Sequence, residues 1–277
     1  MTSPDADTDA STPVRLSRLV RGIPIAREQD VVATEEPLEI RVEGRSLAVV
    51  MRTPGHDEEL TAGFLLTEGI IQDGSQIFEL SVCPSRSEGQ GNVADVLLSG
   101  TQVDWDSLTR HVFSGSSCGV CGKATIDSVF QKFPHVSADW QVSSDLLLSL
   151  PDKLRAAQST FDQTGGLHAS ALFNLEGKLI VLREDVGRHN ALDKVLGYAL
   201  MSGMLPLSKC ILMVSGRVSF EIMQKALAGG IPLLAAVSAP SSLAVQFAKG
   251  SKQTLVGFLR GDRMNVYAGN ERVTHEG

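Results

Sequence analysis

Residues 209–215 read Lys-Cys-Ile-Leu-Met-Val-Ser, an almost wholly apolar run that ends in Ser215-Gly216-Arg217 and gives way at once to a helical pattern over 220–227. A strand that is apolar on successive residues has both faces covered, which requires a layer above the sheet and another below it. The pattern then repeats, with an apolar strand at 232–237, a turn at Ser238-Ala239-Pro240-Ser241-Ser242, a helix at 241–249 and a strand at 254–259. Upstream, strands are expected at 169–175 and 178–183 around Glu176-Gly177, followed by a helix at 190–202. Strands alternating with helices in this way predict an α/β layered unit. The 277 residues, 43% of them apolar, suffice for one large domain or two small ones and exclude intrinsic disorder or a small disulfide scaffold.

The N-terminal part follows a different rule. Residues 1–13 hold no large apolar side chain beyond Met1 and are expected to form a disordered acidic tail. From 14 to 112 the period is mostly two, with Glu43-Gly44-Arg45 as a hairpin turn, further strands at 77–83 and 93–99, and one amphipathic helix at 57–68. The expected organisation is therefore α+β overall: a smaller, mostly β lobe over 14–112, a connecting segment over 113–150, and a larger α/β lobe over 151–277. No run reaches the ~20 apolar residues of a membrane helix, and the start lacks the basic and apolar regions of a secretory signal. A cytoplasmic chain with no membrane partner is expected. Four cysteines in a reducing compartment point to metal, redox or sulfur chemistry rather than to disulfides.

Ser116-Ser117-Cys118-Gly119-Val120-Cys121-Gly122-Lys123 precedes a helical pattern over 124–133, so two thiols stand within a turn of a helix start. A helix N-terminus, Lys123 and a second thiol all favour the thiolate, which is the attacking species. Lowering a thiol pKa from ~8.5 to ~6.5 raises the thiolate fraction near neutrality from under a tenth to most of the population. A structural zinc site needs four ligands, and the other candidates, Cys83, Cys210, His168 and His189, are isolated in sequence. A dithiol redox pair and a sulfur carrier, in which one thiolate holds a sulfane sulfur as a persulfide, both remain open on this chemistry. Cys210 lies in an apolar strand and reads as an inert core residue; Cys83, at a strand end, stays undecided.

The chain carries 25 basic and 32 acidic side chains, a net charge of -7 that argues against a nucleic-acid partner. The balance is uneven, since residues 215–277 hold 7 Lys and Arg against 4 Asp and Glu. An anion site belongs there. Three segments qualify. Residues 183–194, Arg-Glu-Asp-Val-Gly-Arg-His-Asn-Ala-Leu-Asp-Lys, pack seven ionisable groups between a strand and a helix, where α/β ligand sites form, or else make a solvated salt-bridged cap. Ser215-Gly216-Arg217 opens the next helix, whose first N–H groups favour a phosphate. In Phe258-Leu259-Arg260-Gly261-Asp262-Arg263, two arginines can hold a diphosphate and Asp262 can accept from a guanine N1–H.

The chain resembles the formate dehydrogenase accessory sulfurtransferases, the FdhD family. The resemblance rests on Ser117-Cys118-Gly119-Val120-Cys121-Gly122, on Glu184-Asp185-Val186-Gly187-Arg188-His189-Asn190-Ala191-Leu192-Asp193-Lys194, on Ser215-Gly216-Arg217 with Phe220-Glu221, and on Leu255-Val256-Gly257-Phe258. It implies a sulfur carrier that takes sulfane sulfur from a cysteine desulfurase and sulfurates the bis-molybdopterin guanine dinucleotide molybdenum cofactor before insertion into formate dehydrogenase. By resemblance Cys118 bears the persulfide and Cys121 is accessory. Phe258, Leu259, Arg260, Gly261, Asp262 and Arg263, with Ser215, Arg217 and His189, become the candidate cofactor-binding residues, at which a guanine nucleotide could also sit. A homodimer and a cytidine-deaminase-like fold for the larger lobe are implied too. The chain has His168-Ala169-Ser170 where a deaminase needs His-x-Glu, and Ser-Gly-Arg-Val-Ser where it needs Pro-Cys-x-x-Cys, so zinc-dependent deamination is not expected. A non-catalytic cofactor chaperone and a dithiol oxidoreductase are the alternatives.

Overall fold

The computed structural model describes residues 10–23, 25–83, 92–100, 103, 105 and 133–275. An antiparallel hairpin, β1 (Ser11–Arg18) with β2 (Ala26–Ala33), comes first. Ser11, Thr12 and Pro13, expected at the end of a disordered tail, are instead the first residues of β1, paired with Ala33, Val32 and Val31, and Ala10 is buried. Backbone pairing, which side-chain composition does not report, decides that end.

A four-stranded sheet in the order β4-β3-β6-β5 follows, made of β3 (Glu36–Val42), β4 (Arg45–Arg52), β5 (Ile77–Cys83) and β6 (Asn92–Leu98). Glu43 and Gly44 both have positive φ, the geometry that the tight β3–β4 turn demands. Helix α1 (Asp57–Thr67) covers the face carrying Leu38, Ile40, Val42, Ala94 and Val96.

The larger sheet has the order β13-β12-β11-β10-β8-β9. Its strands are β8 (His168–Asn174), β9 (Leu179–Asp185), β10 (Cys210–Val214), β11 (Leu233–Ala236), β12 (Thr254–Arg260) and β13 (Arg263–Ala268). β10, β11 and β12 run parallel, while β8 against β10, β9 against β8, and β13 against β12 are antiparallel. The double coverage read from the apolar runs is present residue by residue. Ile211, Met213, Leu233 and Ala235 join the cluster built around Leu147, Leu150 and Leu154 of α2 (Ser144–Ala156); Leu212, Val214, Leu234 and Ala236 join the cluster on the opposite face. That opposite layer is α4 (Arg188–Met201), α5 (Phe220–Ala228) and α6 (Ser242–Ser251). A short helix, α3 (Ser159–Thr164), a two-stranded pairing of β7 (Val142–Ser143) with β14 (Val273–Thr274), and 3-10 turns at Gly74–Gln76 and Asn270–Arg272 complete the described elements. α2 runs through Pro151, so the boundary expected at 150/151 falls inside a helix. Ser143 caps its start through Leu146 N–H, and its buried leucines sit on one face, which outweighs the lost N–H of the proline.

The core on the α4 side is shared. It runs from Leu38 and Ile40 of the smaller sheet through Leu60 and Leu65 of α1 to Leu192, Val195 and Leu234 of the larger one. α1 and α4 approach so closely because each presents a glycine: a Cβ on Gly63 would overlap the Asp193 carbonyl, and one on Gly197 would overlap the Glu59 carbonyl. A threonine-capped ion pair locks the same crossing, with Lys225 Nζ 2.9 and 3.0 Å from the Asp193 carboxylate and 2.8 Å from Thr67 Oγ1. Gly197→Ala and Gly63→Ala should each force the helices apart, costing about 3 kcal/mol and lowering the melting temperature by roughly 10 °C. Differential scanning calorimetry checks this, and an unchanged melting point for either variant contradicts the crossing.

Candidate functional site

The carboxyl ends of β10, β11 and β12, the start of β8 and the end of β9 all meet at one edge of the larger sheet, and α4, α5 and α6 all begin there. The loops leaving that edge continue the ladder. Val237 N–H donates to the Val214 carbonyl (3.2 Å), Val218 N–H to Ala239 (3.1 Å), Ser241 N–H to Val218 (2.9 Å) and Phe258 N–H to Ser238 (3.1 Å). Three turns are thus stitched into one surface.

The 183–194 block reaches this edge in a way that the sequence did not show. Asp185 and Lys194 are an ion pair at 2.8 Å with both side chains fully buried. Asp185 Oδ1 also accepts from Gly187 N–H (2.8 Å) and Asn190 Nδ2 (3.0 Å), and Oδ2 from Thr53 N–H (3.1 Å). Lys194 donates to the Thr53 carbonyl (2.8 Å). Glu184 accepts from Thr160 and Phe161 N–H at the start of α3, and Arg183 forks onto Glu59 at 2.6 and 2.7 Å. The paired groups of the block, buried or half-buried, are therefore scaffold rather than a solvated cap, and Arg188 and His189 are what it leaves for the edge.

His189 Nε2 lies 3.0 Å from Glu221 Oε2 and 3.4 Å from Ser219 Oγ, so it bridges the starts of α4 and α5. Ser215 holds the end of β10 on β8, accepting at Oγ from Ala169 N–H (2.9 Å) and donating its own N–H to the Ala169 carbonyl (2.9 Å). Arg217 is exposed in the following turn. Gly216, between them, is buried, and a methyl group there would stand 3.3 Å from His168 Nδ1 and 3.5 Å from Arg188 Cβ and Cδ. His168 and Arg188 were not placed together by sequence reasoning. Their signal was only the Gly165-Gly166-Leu167-His168 turn and the Gly187-Arg188 step.

Phe258 to Arg263 forms the end of β12, its turn and the start of β13. Arg260 pairs in register with Arg263 across Gly261 and Asp262, and Gly261 has φ +59, the sign a II′ turn needs at its first central residue. Phe258 is held at φ +52, unusual for an aromatic residue, at a bulge in the β12–β13 register, with the Arg260 guanidinium 5.6 Å from its ring centre. Leu259 is buried, whereas Arg260, Gly261, Asp262 and Arg263 are exposed. The hairpin therefore extends the sheet beyond the edge and offers two cations and an aromatic face. Cys118, Cys121 and the expected helix before residue 133 lie outside the described residues. Cys210 is buried in β10, which pushes its thiol above the usual range, as its core reading required; Cys83 is exposed. Two clefts that border Gly55 and Asp57 include no residue of the sheet edge.

The family model described as the FdhD/NarQ family matches residues 33–274. The chain belongs to the FdhD/NarQ family. Among curated relatives it is similar to the sulfur carrier protein FdhD of Streptomyces avermitilis, 51% identical over 266 residues, covering 92% of this chain and 93% of that one. It is 43% identical to the sulfur carrier protein FdhD of Sulfolobus acidocaldarius over 260 residues, covering 94% and 97%. A crystal structure of a putative formate dehydrogenase accessory protein from Desulfotalea psychrophila superposes with a TM-score of 0.76 at 29% identity, covering 96% of this chain and 100% of that one. The mixed α/β architecture is thus shared within the family. Among the described residues no helix is long and apolar enough to cross a membrane.

Two outcomes test the geometry of the edge. Lys194→Met leaves Asp185 buried without its counter-ion and should cost about 3–5 kcal/mol, read from urea unfolding. The His168 imidazole is held below the usual histidine range by burial first, and then by Arg188 and Arg217. Below about pH 6.5 the unfolded chain then binds a proton that the native site resists, so this group removes stability as pH falls. His168→Asn should shrink the fall in urea midpoint between about pH 8 and about pH 5.5; an unaltered fall would contradict that burial.

Proposed function

We propose that the protein is a sulfur carrier for formate dehydrogenase maturation, acting in the cytoplasm, with Cys118 as the persulfide-bearing thiol. Family membership, with relatives at about half identity named sulfur carrier proteins, carries this reading. The Cys118-Gly119-Val120-Cys121 motif supplies the chemistry. Cys118 thiolate attacks the outer sulfur of a persulfide on a cysteine desulfurase; the S–S bond of the donor breaks, its cysteine leaves as thiolate, and Cys118 carries the sulfane sulfur. Cys121 thiolate then attacks the inner sulfur of that persulfide. Hydrosulfide leaves with the two electrons supplied by the thiol pair, and a Cys118–Cys121 disulfide closes.

The acceptor in this reading is the bis-molybdopterin guanine dinucleotide molybdenum cofactor, a substrate that passes on to formate dehydrogenase. Support comes from the hairpin, where Arg260 and Arg263 stand side by side for phosphate oxygens, Phe258 offers a ring for stacking and Asp262 is free to accept from guanine. Ser215, Arg217 and His189 lie on the same sheet edge. The homodimer belongs to this reading as well, and the exposed Leu19, Val20, Ile23 and Ile25 around the β1–β2 turn give it an apolar surface to use.

Incubation with a cysteine desulfurase and cysteine should add about 32 Da, one sulfur atom, to the intact mass. Cys118→Ala should lose the adduct and fail to restore formate dehydrogenase activity in cells lacking the protein, while Cys121→Ala should keep the adduct and release its sulfur more slowly. A Cys118→Ala chain that carried the adduct equally well would remove Cys118 from its role.

A further inference from the structure

The hairpin is not the only cationic place on the sheet edge. At the corner where α4 and α5 begin, Arg188 comes from the first position of α4, Arg217 from the β10–α5 turn, and His168 from the first position of β8. Among the described residues neither arginine makes an ion pair or a side-chain hydrogen bond. The acidic groups nearby hydrogen-bond elsewhere: Asp185 to Lys194, Glu184 to the α3 amides, and Glu221 to His189, with Arg188 acting on Glu221 only through its charge. Arg188 Nε is buried with no partner, and so is Ser170 Oγ, two residues along β8 on the same strand face as His168. A buried donor left unpaired is destabilising, so an orphan guanidinium nitrogen at a polar corner marks a place built for an acceptor. Gly216 keeps that corner open, since a side chain there would press on His168 and Arg188. The helix starts add to the field, because Gly187 has no side chain to cap α4 and Ser219 makes no cap bond to α5.

We propose that His168, Arg188 and Arg217, around Gly216, form a phosphate-binding subsite separate from the Arg260–Arg263 hairpin, and that it takes a diphosphate. The assignment of that diphosphate to the cofactor rests on the function proposed above; the phosphate subsite itself does not. A bis-dinucleotide substrate carries two diphosphates, and the hairpin offers cations for one. A phosphoryl group suits the corner better than a single carboxylate, because two guanidinium groups and an imidazole match its several oxygens and its higher charge.

Binding of inorganic pyrophosphate and of guanosine diphosphate, followed by isothermal titration calorimetry on the full chain, tests this. Arg217 is exposed and unpaired, so Arg217→Gln leaves the fold intact and should weaken pyrophosphate about tenfold or more, as should Arg188→Gln. His168 faces Arg188, Arg217, Asp185 and His189; an arriving anion favours its protonated form, so near neutral pH the wild-type chain should bind pyrophosphate with more proton uptake, or less release, than His168→Asn, read from the buffer dependence of the heat of each. Unchanged affinity in both arginine variants overturns the subsite, as does weakening by Arg263→Ala alone, which would leave the hairpin as the phosphate site. Absence of any pyrophosphate or nucleotide binding by the wild-type chain overturns it too. None of these outcomes bears on the persulfide adduct at Cys118, which the mass measurement reads independently.

Discussion

The buried pair of Asp185 and Lys194 holds the four- and six-stranded sheets and the candidate site in one frame. Each charge is shielded from water, and each is surrounded by enough partners to offset that desolvation: Asp185 collects four donors, and Lys194 reaches Asp185, the Thr53 carbonyl and, at 3.4 Å, the Glu184 carbonyl. Thr53 follows β4, an edge strand of the smaller sheet, while Asp185 ends β9, an edge strand of the larger one. The pair therefore pins β4 to β9 and, through Gly187 and Asn190, sets the direction in which α4 leaves the edge. Asn190 Nδ2 adds a bond to the Met51 carbonyl at 2.8 Å. Arg188 and His189 point where they do because Asp185 fixes the residue on one side of them and Lys194 locks the next turns of the helix on the other.

Charge is partitioned along the same lines. Arg52 with Asp57, Arg183 with Glu59, Lys194 with Asp185 and Lys225 with Asp193 neutralise one another inside or at the edge of the shared core. Among the described residues, four arginines without an ion pair stand at the sheet edge, Arg188 and Arg217 in the corner and Arg260 and Arg263 on the hairpin. A chain with net charge -7 thus keeps a local positive field at that corner, because the acids nearest to it, Glu184, Asp185 and Glu221, have other hydrogen-bonding partners.

Much of the fold was legible, for a physical reason. Strands such as 210–214 and 233–236 bury both faces, so they read as short apolar runs bounded by turn residues, and the helices between them follow from 3.6-residue spacing. What escaped were elements whose stability comes from contact rather than pattern. α2 hides behind Pro151 and is held by three leucines under the sheet; β13 is a polar edge strand defined by its ladder to β12; β1 begins inside a stretch whose composition reads as tail. The site divides in the same way. Ser215, Arg217, His189 and Phe258 to Arg263 do come to one edge, as the strand-turn-helix grammar requires, but His168 and Arg188 are separated by twenty residues and meet only because β8 pairs with β9 and α4 folds back across them.

The sequence by itself determined the layered α/β character, the paired thiols with their flanking glycines, and the family to which both belong, because these depend on local spacing and residue chemistry. Only the tertiary structure decided which ionisable side chains are scaffold and which are site. Glu184, Asp185, Arg188 and Lys194 look equivalent in a line of sequence. Burial makes the first two acceptors for amides and for a lysine, and it leaves the Arg188 guanidinium nitrogen without a partner at an open corner, a difference that exists only once β9, α4 and Gly216 are brought together in space.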